Sequence, residues 1–229
     1  MSTRSQFPSV AVVGTIHSPA ALREALRLKA GAVDLLEVRV DHFVTDLAPL
    51  RRALPRLKAP LIITVRHPGE GGSALLSTSE RAALYRDFLP AAACIDIELR
   101  SMLALRDIWE EAPSRGIQRI LSWHDFKSTP SLTALEERWQ RASGFSPTIV
   151  KFATRARARA HLATLVTFLS TRPKRPATSL MGMREFGKIS RLTLAACGSA
   201  LNYGFLGELQ ISGQFHAAEL KKCLANLQV

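Results

Sequence analysis

The sequence predicts an α/β protein, a single-domain (β/α)8 (TIM) barrel that spans residues 1–229, and two observations lead to it. Eight short runs rich in β-branched and other apolar residues recur along the chain, and segments with apolar residues at helical spacing separate them. Strands that alternate with helices form parallel sheets. Eight such units in 229 residues favour a compact barrel over the main competitor, an open doubly wound sheet.

The strand candidates follow one another along the chain at regular intervals. They are VAVVGTI (10–16), VDLLEVRV (33–40), PLIITVR (60–66), CIDIEL (94–99), RILSWH (119–124), TIVKFA (148–153), ATSLMGM (177–183) and SALNYGF (199–205). Two of the helices between them carry clear end signals. SPAALREALRLKAG is closed by Gly31, a residue that favours helix ends, and STSERAALYRDFLPAA opens with a serine followed by Glu80.

In a barrel of this kind the chemistry lies at the carboxyl ends of the strands and on the loops that follow them. Polar residues fall there in nearly every unit of this chain. They are Glu37, Arg39, Arg66, Glu70, Asp96, Glu98, His124, Lys151 and Arg191. The sequence therefore predicts a polar site at this end of the barrel.

Lys151 lies inside the strand candidate TIVKFA, between Val150 and Phe152. Alternate residues of a strand face opposite sides, so Lys151 faces away from these apolar neighbours and, in a barrel, into the lumen. Burial lowers the pKa of a lysine from about 10.4, and a neutral amine can attack a carbonyl carbon to form a Schiff base. The alternative is a lysine on a solvated strand face.

His124 ends the fifth strand candidate, and the sixth carries Lys151. A lone histidine at a strand end can be a structural hydrogen-bonding residue, which is the alternative here. Because the two strands are neighbours, the imidazole can instead reach the carbon next to a lysine imine. Asp125 follows His124, and we expect it to shape the turn rather than to transfer a proton.

Glu37 and Arg39 are two residues apart on a strand and therefore face the same side. Two buried charges are unfavourable unless they pair or bind a ligand, so an internal ion pair and a ligand site are both open. The stretch RHPGEGG adds Arg66 and Glu70 around glycines that allow a sharp turn. It lacks the Lys-Ser/Thr ending of a phosphate-binding loop.

A formal net charge of +12 and two basic stretches, RARARAHL (155–162) and RPKRPA (172–177), raise the alternative of a nucleic-acid-binding protein. No aromatic residues for base stacking are interleaved with these stretches, so a solvated helix face and a loop explain them at least as well. Basic residues also attract anionic metabolites. We therefore expect no nucleic-acid partner.

Three cysteines, Cys94, Cys197 and Cys223, are odd in number and far apart, and we expect buried thiols in a reducing cytoplasm. No cluster of His, Cys, Asp and Glu has metal-ligand spacing, so we expect no metal. The N-terminal stretch MSTRSQFPSV has no apolar signal-peptide core, and no run approaches the ~20 apolar residues of a membrane span. The sequence thus predicts a cytoplasmic protein without a membrane partner.

A series of short motifs runs along nearly the whole chain. They are EVRVDHF (37–43), Arg66 with EGG (70–72), IDIEL (95–99), SWHDF (122–126), VKFA (150–153), MGMREFGKISR (181–191), GSALNYG (198–204) and SGQ (212–214). Each motif alone is weak, but together, in this order and at fitting separations, they are highly specific. The chain resembles the type I 3-dehydroquinate dehydratases, shikimate-pathway enzymes that form a lysine imine.

The resemblance implies a (β/α)8 barrel that dehydrates 3-dehydroquinate to 3-dehydroshikimate, with no metal, no cofactor and a homodimeric assembly. It implies that Lys151 is the Schiff-base lysine, that His124 is the general acid and base, and that Glu70 orients and tunes His124. The implied substrate-binding residues are Glu37, Arg39 and Arg66 for the hydroxyl groups, Arg191 for the carboxylate, Gln214, and Met181, Met183 and Tyr203 as the pocket lining.

This chain departs from the family pattern near its C-terminus, where QISGQ (210–214) stands in place of Ser-Ala-Pro-Gly-Gln. Gln210 takes the position of the family serine, and we predict that it binds the substrate from a loop that closes over the site. The alternative is that Ser212 supplies the hydroxyl group.

Two further positions concern the comparison with the family pattern. Tyr203 stands where phenylalanine is usual, and Thr15 is the predicted ligand from the first strand.

The enzymatic alternative is another Schiff-base barrel of the class I aldolase kind. Such an enzyme would also use Lys151 but would not need the EGG and SWHDF motifs.

Overall fold

The computed structural model describes residues 8–209 and 211–227. Within them, eight parallel strands pair in the order β7-β6-β5-β4-β3-β2-β1-β8. The barrel is nearly closed between its two end strands. The Ala200 N–H donates to the Thr178 carbonyl at 2.9 Å, and the Ser179 hydroxyl donates to the Leu201 carbonyl at 2.7 Å. The strands are β1 Ala11–Ile16, β2 Leu35–Arg39, β3 Leu61–Thr64, β4 Cys94–Glu98, β5 Gln118–Asp125, β6 Ile149–Arg155, β7 Ala177–Met183 and β8 Leu201–Phe205.

Helices pack around the outside of these strands, which confirms the predicted (β/α)8 barrel. They are α1 Pro19–Arg27, α2 Ala48–Ala53, α3 Thr78–Phe88, α4 Arg106–Glu111, α5 Leu132–Ser143, α6 Arg159–Ser170, α7 Gly187–Ala196 and α8 Ala217–Asn226. Ser77 and Glu80 form the capping box expected at the start of α3. The expectation for Gly31 was wrong. Helix α1 ends at Arg27 because Leu28 is already extended, and Gly31 adopts its φ of 81° in the turn before β2.

Strand alternation divides the buried apolar residues into an outer layer under the helices and a cluster inside the lumen. Lumen residues nearer the carboxyl ends of the strands are polar, among them Glu37, Asp96, Ser122 and Lys151. The cluster members nearer the amino ends of the strands therefore form the floor of a polar site, whereas Met181 and Met183, which pair with Ala153 and Arg155 beyond Lys151, lie along its wall. The buried members of the cluster are Ala11, Val13, Leu35, Ile62, Cys94, Ile120, Ile149, Ala153, Met181, Met183, Leu201 and Tyr203.

Helix α3 is fixed beside the site, on the outside of the barrel, by two buried polar side chains. Arg81 donates to the Val65 carbonyl from Nε at 3.0 Å and to Glu98 Oε2 from Nη2 at 2.6 Å. The Tyr85 hydroxyl donates to the Asp96 carbonyl at 2.6 Å and accepts the Val65 N–H at 3.1 Å. The helix thus holds the ends of β3 and β4, from which several site residues project.

The cysteine expectation holds only in part. All three thiols are free, and Cys94 is buried, but Cys197 is exposed and Cys223 is half-buried. Cys197 is exposed because it follows the last residue of α7, in the turn that leads to β8. In the described part of the chain, none of the helices has the length and apolar character needed to cross a bilayer.

Candidate active site

Lys151 projects from β6 into the lumen, and its side chain is only 4% exposed. Its Nζ donates to Asp96 Oδ2 at 2.8 Å and lies 3.7 Å from Glu37 Oε1. It also lies 4.0 Å from the ring centroid of Tyr203, in the geometry of a cation–π contact. The amine is therefore held between two carboxylates and an aromatic face, as strand alternation predicted for its direction.

Asp96 is the acceptor that holds both Lys151 and Arg66. Arg66 donates to Asp96 through two nitrogens, from Nη1 to Oδ1 at 3.1 Å and from Nη2 to Oδ2 at 2.9 Å. Burial alone would raise the pKa of Asp96, but the charges of Arg66 and Lys151 outweigh it and hold the pKa far below its ordinary value. Asp96 is therefore a fixed negative charge beside the lysine.

Arg66 bonds to protein groups through both of its terminal nitrogens. Its Nη1 also donates to Glu98 Oε1 at 3.1 Å and to the Ser122 hydroxyl at 2.7 Å, and its Nη2 lies 3.6 Å from Glu37 Oε1. The carboxylates raise its pKa well above the ordinary value despite the opposing effect of burial. Arg66 thus joins the polar ends of β2, β4 and β5 in one network.

His124 lies at the end of β5 in contact with Glu70, which follows β3. The Nδ1 atom of the His124 ring lies 3.0 Å from Glu70 Oε2, and the main-chain N–H of His124 donates to the same oxygen at 3.0 Å. Burial first, and then the charges of Arg66 and Lys151, hold the pKa of His124 well below its ordinary value. A neutral imidazole that donates from Nδ1 leaves its Nε2 lone pair free to take a proton.

The loop that carries Glu70 turns as sharply as its glycines predict. Gly71 has a φ of 86°, in the left-handed region that favours glycine. A side chain on Gly72 would collide with the main chain of Arg66 and His67. Burial raises the pKa of Glu70 to about 7, although the charge of Arg66 opposes it.

Arg39 and Asp41 form a paired group at the end of β2. Arg39 donates to Asp41 from Nε at 2.9 Å and from Nη2 at 2.8 Å. Asp41 is 1% exposed and also accepts the main-chain N–H groups of Arg66 and Ser73, at 3.2 and 3.0 Å. Burial opposes ionisation of Asp41, but its partners lower its pKa to about 2. Asp41 therefore ties Arg39 to the loop that carries Glu70.

Arg191 is buried on α7 and donates only to main-chain carbonyls among the described residues. These include the Tyr203 oxygen at 2.8 Å, the Gly187 oxygen at 2.9 Å and the Gly213 oxygen at 3.1 Å. Burial lowers its pKa to about 10. A buried guanidinium without a carboxylate beside it is suited to an anionic ligand.

The remaining predicted site residues fall into three groups. Met181, Met183 and Tyr203 are buried in the lumen cluster. Met181 and Met183 pair with Ala153 and Arg155, beyond Lys151, and so lie along the wall of the site. The Tyr203 ring lies against Lys151, and its hydroxyl has no hydrogen-bond partner among the described residues. The Thr15 hydroxyl donates to Glu37 Oε2 at 3.3 Å, which brings the first strand into the network. Gln214 is half-buried after Gly213, and Gln210 lies outside the described residues.

A family model of the type I 3-dehydroquinases matches residues 10–229. This chain belongs to that family. A 3-dehydroquinate dehydratase of Thermococcus gammatolerans is 32% identical over 219 residues, which cover 94% of this chain and 98% of the relative. One of Klebsiella pneumoniae subsp. pneumoniae is 32% identical over 208 residues, which cover 85% of this chain and 82% of the relative.

Solved structures of 3-dehydroquinate dehydratases share the fold. The 3-dehydroquinate dehydratase of Enterococcus faecalis superposes with a TM-score of 0.79 at 29% identity, over 95% of this chain and 93% of that one. The type I enzyme of Clostridium difficile, solved with covalently modified comenic acid, gives a TM-score of 0.84 at 25% identity, over 95% and 92%. The resemblance found in the sequence is thereby confirmed.

Sequence reasoning left Asp96 and Asp41 out of the site. Asp96 was noted only as one polar residue at a strand end, yet it bonds to both Lys151 and Arg66. Strand alternation could have found it, because Asp96 and Glu98 both face the lumen between outward Ile95 and Ile97. Asp125 accepts two main-chain N–H groups of the following turn, as expected.

No group of three or more His, Cys, Asp and Glu side chains is arranged to hold a metal ion in residues 8–209 and 211–227.

Proposed function

We propose that this site dehydrates 3-dehydroquinate to 3-dehydroshikimate through an imine on Lys151, the activity expected of a type I family member. The observation that carries the proposal is the pairing of a buried amine with an oriented histidine on the adjacent strand. Ser122 aligns with Lys151 in the register between β5 and β6, and His124 lies two residues beyond Ser122 on the same face.

The reaction begins when the amine of Lys151, after giving up one proton, adds to the C3 carbonyl carbon, and the adduct takes up a proton and loses water to form an iminium ion. The iminium makes the C2 proton acidic, because its nitrogen can accept the electron pair that the proton leaves behind. His124 Nε2 takes that proton and gives an enamine. The enamine electrons then expel the C1 hydroxyl, which takes the proton from His124 and leaves as water. Hydrolysis of the conjugated iminium releases the product and Lys151.

The charged groups around the lysine serve the later steps of this sequence. Asp96 and Glu37 face the position of the iminium nitrogen and stabilise its positive charge, as does the ring face of Tyr203. Glu70 accepts a hydrogen bond from His124 Nδ1 and so keeps Nε2 available as the base. These groups require little rearrangement as charge develops.

The substrate is held at both ends. Glu37, Arg39 and Arg66 bind its hydroxyl groups, with Arg66 Nη2 and Glu37 Oε1 close enough, at 3.6 Å, to share one hydroxyl. Arg191 binds the carboxylate, assisted by Gln214 and Gln210 from the segment after β8. Tyr203 completes the floor beneath the ring, and Met181, Met183 and Thr15 complete the wall around it.

The test is to incubate the protein with 3-dehydroquinate, follow the absorbance of the conjugated enone, and add borohydride during turnover. We expect product to form and borohydride to reduce the iminium to a stable amine on Lys151, located by peptide mass spectrometry. Lys151→Ala should give neither product nor adduct. Lys127→Ala, which removes an exposed lysine, is the matched control and should behave as the wild type.

The His124→Ala variant separates imine formation from dehydration. It should still trap an adduct on Lys151 but lose activity by roughly 10²-fold or more, within the usual range for general acid and base catalysis. An adduct on a residue other than Lys151, or product formation without any adduct, would contradict the imine route.

We also propose that the enzyme works as a homodimer in the cytoplasm. The support for the dimer is the family resemblance, and the support for the compartment is the presence of three unpaired thiols. Light scattering coupled to size-exclusion chromatography would measure the mass of the assembly, against 25.1 kDa for one chain.

A further inference from the structure

His17 lies at the mouth of the site, directly after β1. Lumen-facing residues of β1 alternate, and Thr15, two residues earlier, bonds to Glu37. The register pairs Thr15 with Glu37 and Ile16 with Val38, so continuing it by one residue sets His17 beside Arg39. The charge of Arg39 acts on His17, which is consistent with this placement. His17 thus stands one level above the network that surrounds Lys151.

The imidazole of His17 is buried but incompletely bonded. It is 5% exposed, its ring centroid lies 6.0 Å from that of His42, and its Nδ1 has no hydrogen-bond partner within the described residues. Burial lowers the pKa of His17, Arg39 adds to this effect, and the main chains of Thr15 and Glu208 oppose it. A neutral ring with one unused nitrogen is a group that a ligand can satisfy.

Arg39 has an unused hydrogen-bond donor on the same side of the site as His17. Its Nε and Nη2 bond to Asp41, and Nη2 also donates to the Gly71 carbonyl at 2.8 Å. Within residues 8–209 and 211–227, Nη1 makes no hydrogen bond. A free acceptor on His17 and a free donor on Arg39 together match a hydroxyl group, which both donates and accepts.

We propose that His17 is a further substrate-binding and specificity-determining residue, whose Nδ1 accepts a hydrogen bond from one ring hydroxyl while Arg39 Nη1 donates to the same oxygen. This inference rests on the proposed function. The hydroxyl is one of the two that the reaction leaves in place, at C4 or C5, because the C1 hydroxyl departs near His124. His17 makes no contact with the reacting carbons and acts on binding alone.

The test compares His17→Leu with the wild type on three substrates: 3-dehydroquinate and its 4-deoxy and 5-deoxy analogues. On 3-dehydroquinate, kcat/KM should fall about 5- to 10-fold, the size of one hydrogen bond, mainly through a higher KM. On one of the two analogues the variant and the wild type should have the same kcat/KM, because that analogue lacks the hydroxyl that His17 binds. An equal loss on all three substrates, or no loss on 3-dehydroquinate, would overturn the proposal.

A second pair of variants guards against misfolding of His17→Leu. His17→Asn keeps a polar atom near the Nδ1 position and should retain most of the wild-type kcat/KM, whereas His17→Gln places its polar atom near Nε2 and should not. Equal kinetics for these two would also overturn the assignment. His161→Leu, on α6, is the histidine control and should leave KM unchanged.

The outcomes distinguish this inference from the function on which it rests. Wild-type protein that gives no enone and no borohydride adduct would refute the proposed function. Normal wild-type turnover and trapping on Lys151, with the same analogue pattern in wild type and His17→Leu, would refute the role of His17 only.

Discussion

Burial and charge act in opposite directions on the two acidic side chains closest to the reacting groups. Asp96 touches Lys151 and Arg66, and their charges keep it ionised although it is fully buried. At Glu70 the nearby positive charge offsets burial less, so burial prevails and raises the pKa of Glu70 to about 7. Of these two carboxyl groups, Glu70 is therefore the one that changes charge near neutral pH.

The Glu70→Gln variant should remove a pH dependence as well as activity. Above pH 7 the Glu70 carboxylate accepts the Nδ1 proton of His124, and as the pH falls through about 7 it becomes protonated and loses this function. We expect the wild-type kcat/KM to decline on this acidic side. Glu70→Gln should lower kcat/KM roughly 10-fold or more and flatten the decline, as measured in pH–rate profiles.

Glu110→Gln is the control for this profile, because Glu110 is an exposed carboxylate paired with Arg106 on α4. It should leave the curve unchanged. If kcat/KM of Glu70→Gln declined at acidic pH with the same midpoint as the wild type, the titration would belong to another group.

At the scale of elements, α3 connects the outer layer of the barrel to the site. Arg81 is 2% exposed and reaches from α3 to Glu98, which also accepts from Arg66. The Arg81 guanidinium also donates to the Ser101 hydroxyl at 2.8 Å and to the Val65 carbonyl. One helix residue thus satisfies acceptors from three neighbouring segments.

Arg81→Met should destabilise the fold strongly. The substitution leaves Glu98 with one cation fewer and the Val65 carbonyl and Ser101 without a donor, and removal of one partner from a buried pair typically costs about 3–5 kcal/mol. Denaturant unfolding should show this loss in the free energy of unfolding. Arg86→Met on the exposed face of the same helix should change it by less than about 0.5 kcal/mol. Similar values for both variants would exclude a structural role for the Arg81 network.

The contrast between Arg81 and Lys151 explains how much of the site the sequence can predict. Lys151 is found because strand alternation fixes the side on which it lies. Arg81 lies on a helix with mixed apolar and charged residues, where a buried arginine and an exposed one look alike in sequence. The pairings of Asp41 and the open nitrogen of His17 depend on contacts between segments far apart in the chain, which periodicity does not encode.

At the scale of the whole molecule, the two basic stretches lie at opposite ends of the barrel. RARARAHL (155–162) runs from the end of β6 into α6 and is therefore at the carboxyl end, beside the site. RPKRPA (172–177) precedes β7 and is at the amino end. The fold and the order of its eight units were predictable from local patterns. This distribution of charge follows from the parallel direction of the strands, because a segment that follows a strand and one that precedes a strand lie at opposite ends of the barrel.

Exposed positive charge near the site should attract the anionic substrate, whereas equal charge at the opposite end should not. Arg157 and Lys174 are both exposed, and each lies in one of the two stretches. At about 10 mM salt the Debye length is about 30 Å, so Arg157→Gln should reduce kcat/KM by roughly 2-fold. The Lys174→Gln variant carries the same change in net charge and should be closer to the wild type. Near 1 M salt, where the Debye length is about 3 Å, the difference should vanish. If both variants lost kcat/KM equally at low salt, net charge rather than its placement would govern substrate capture.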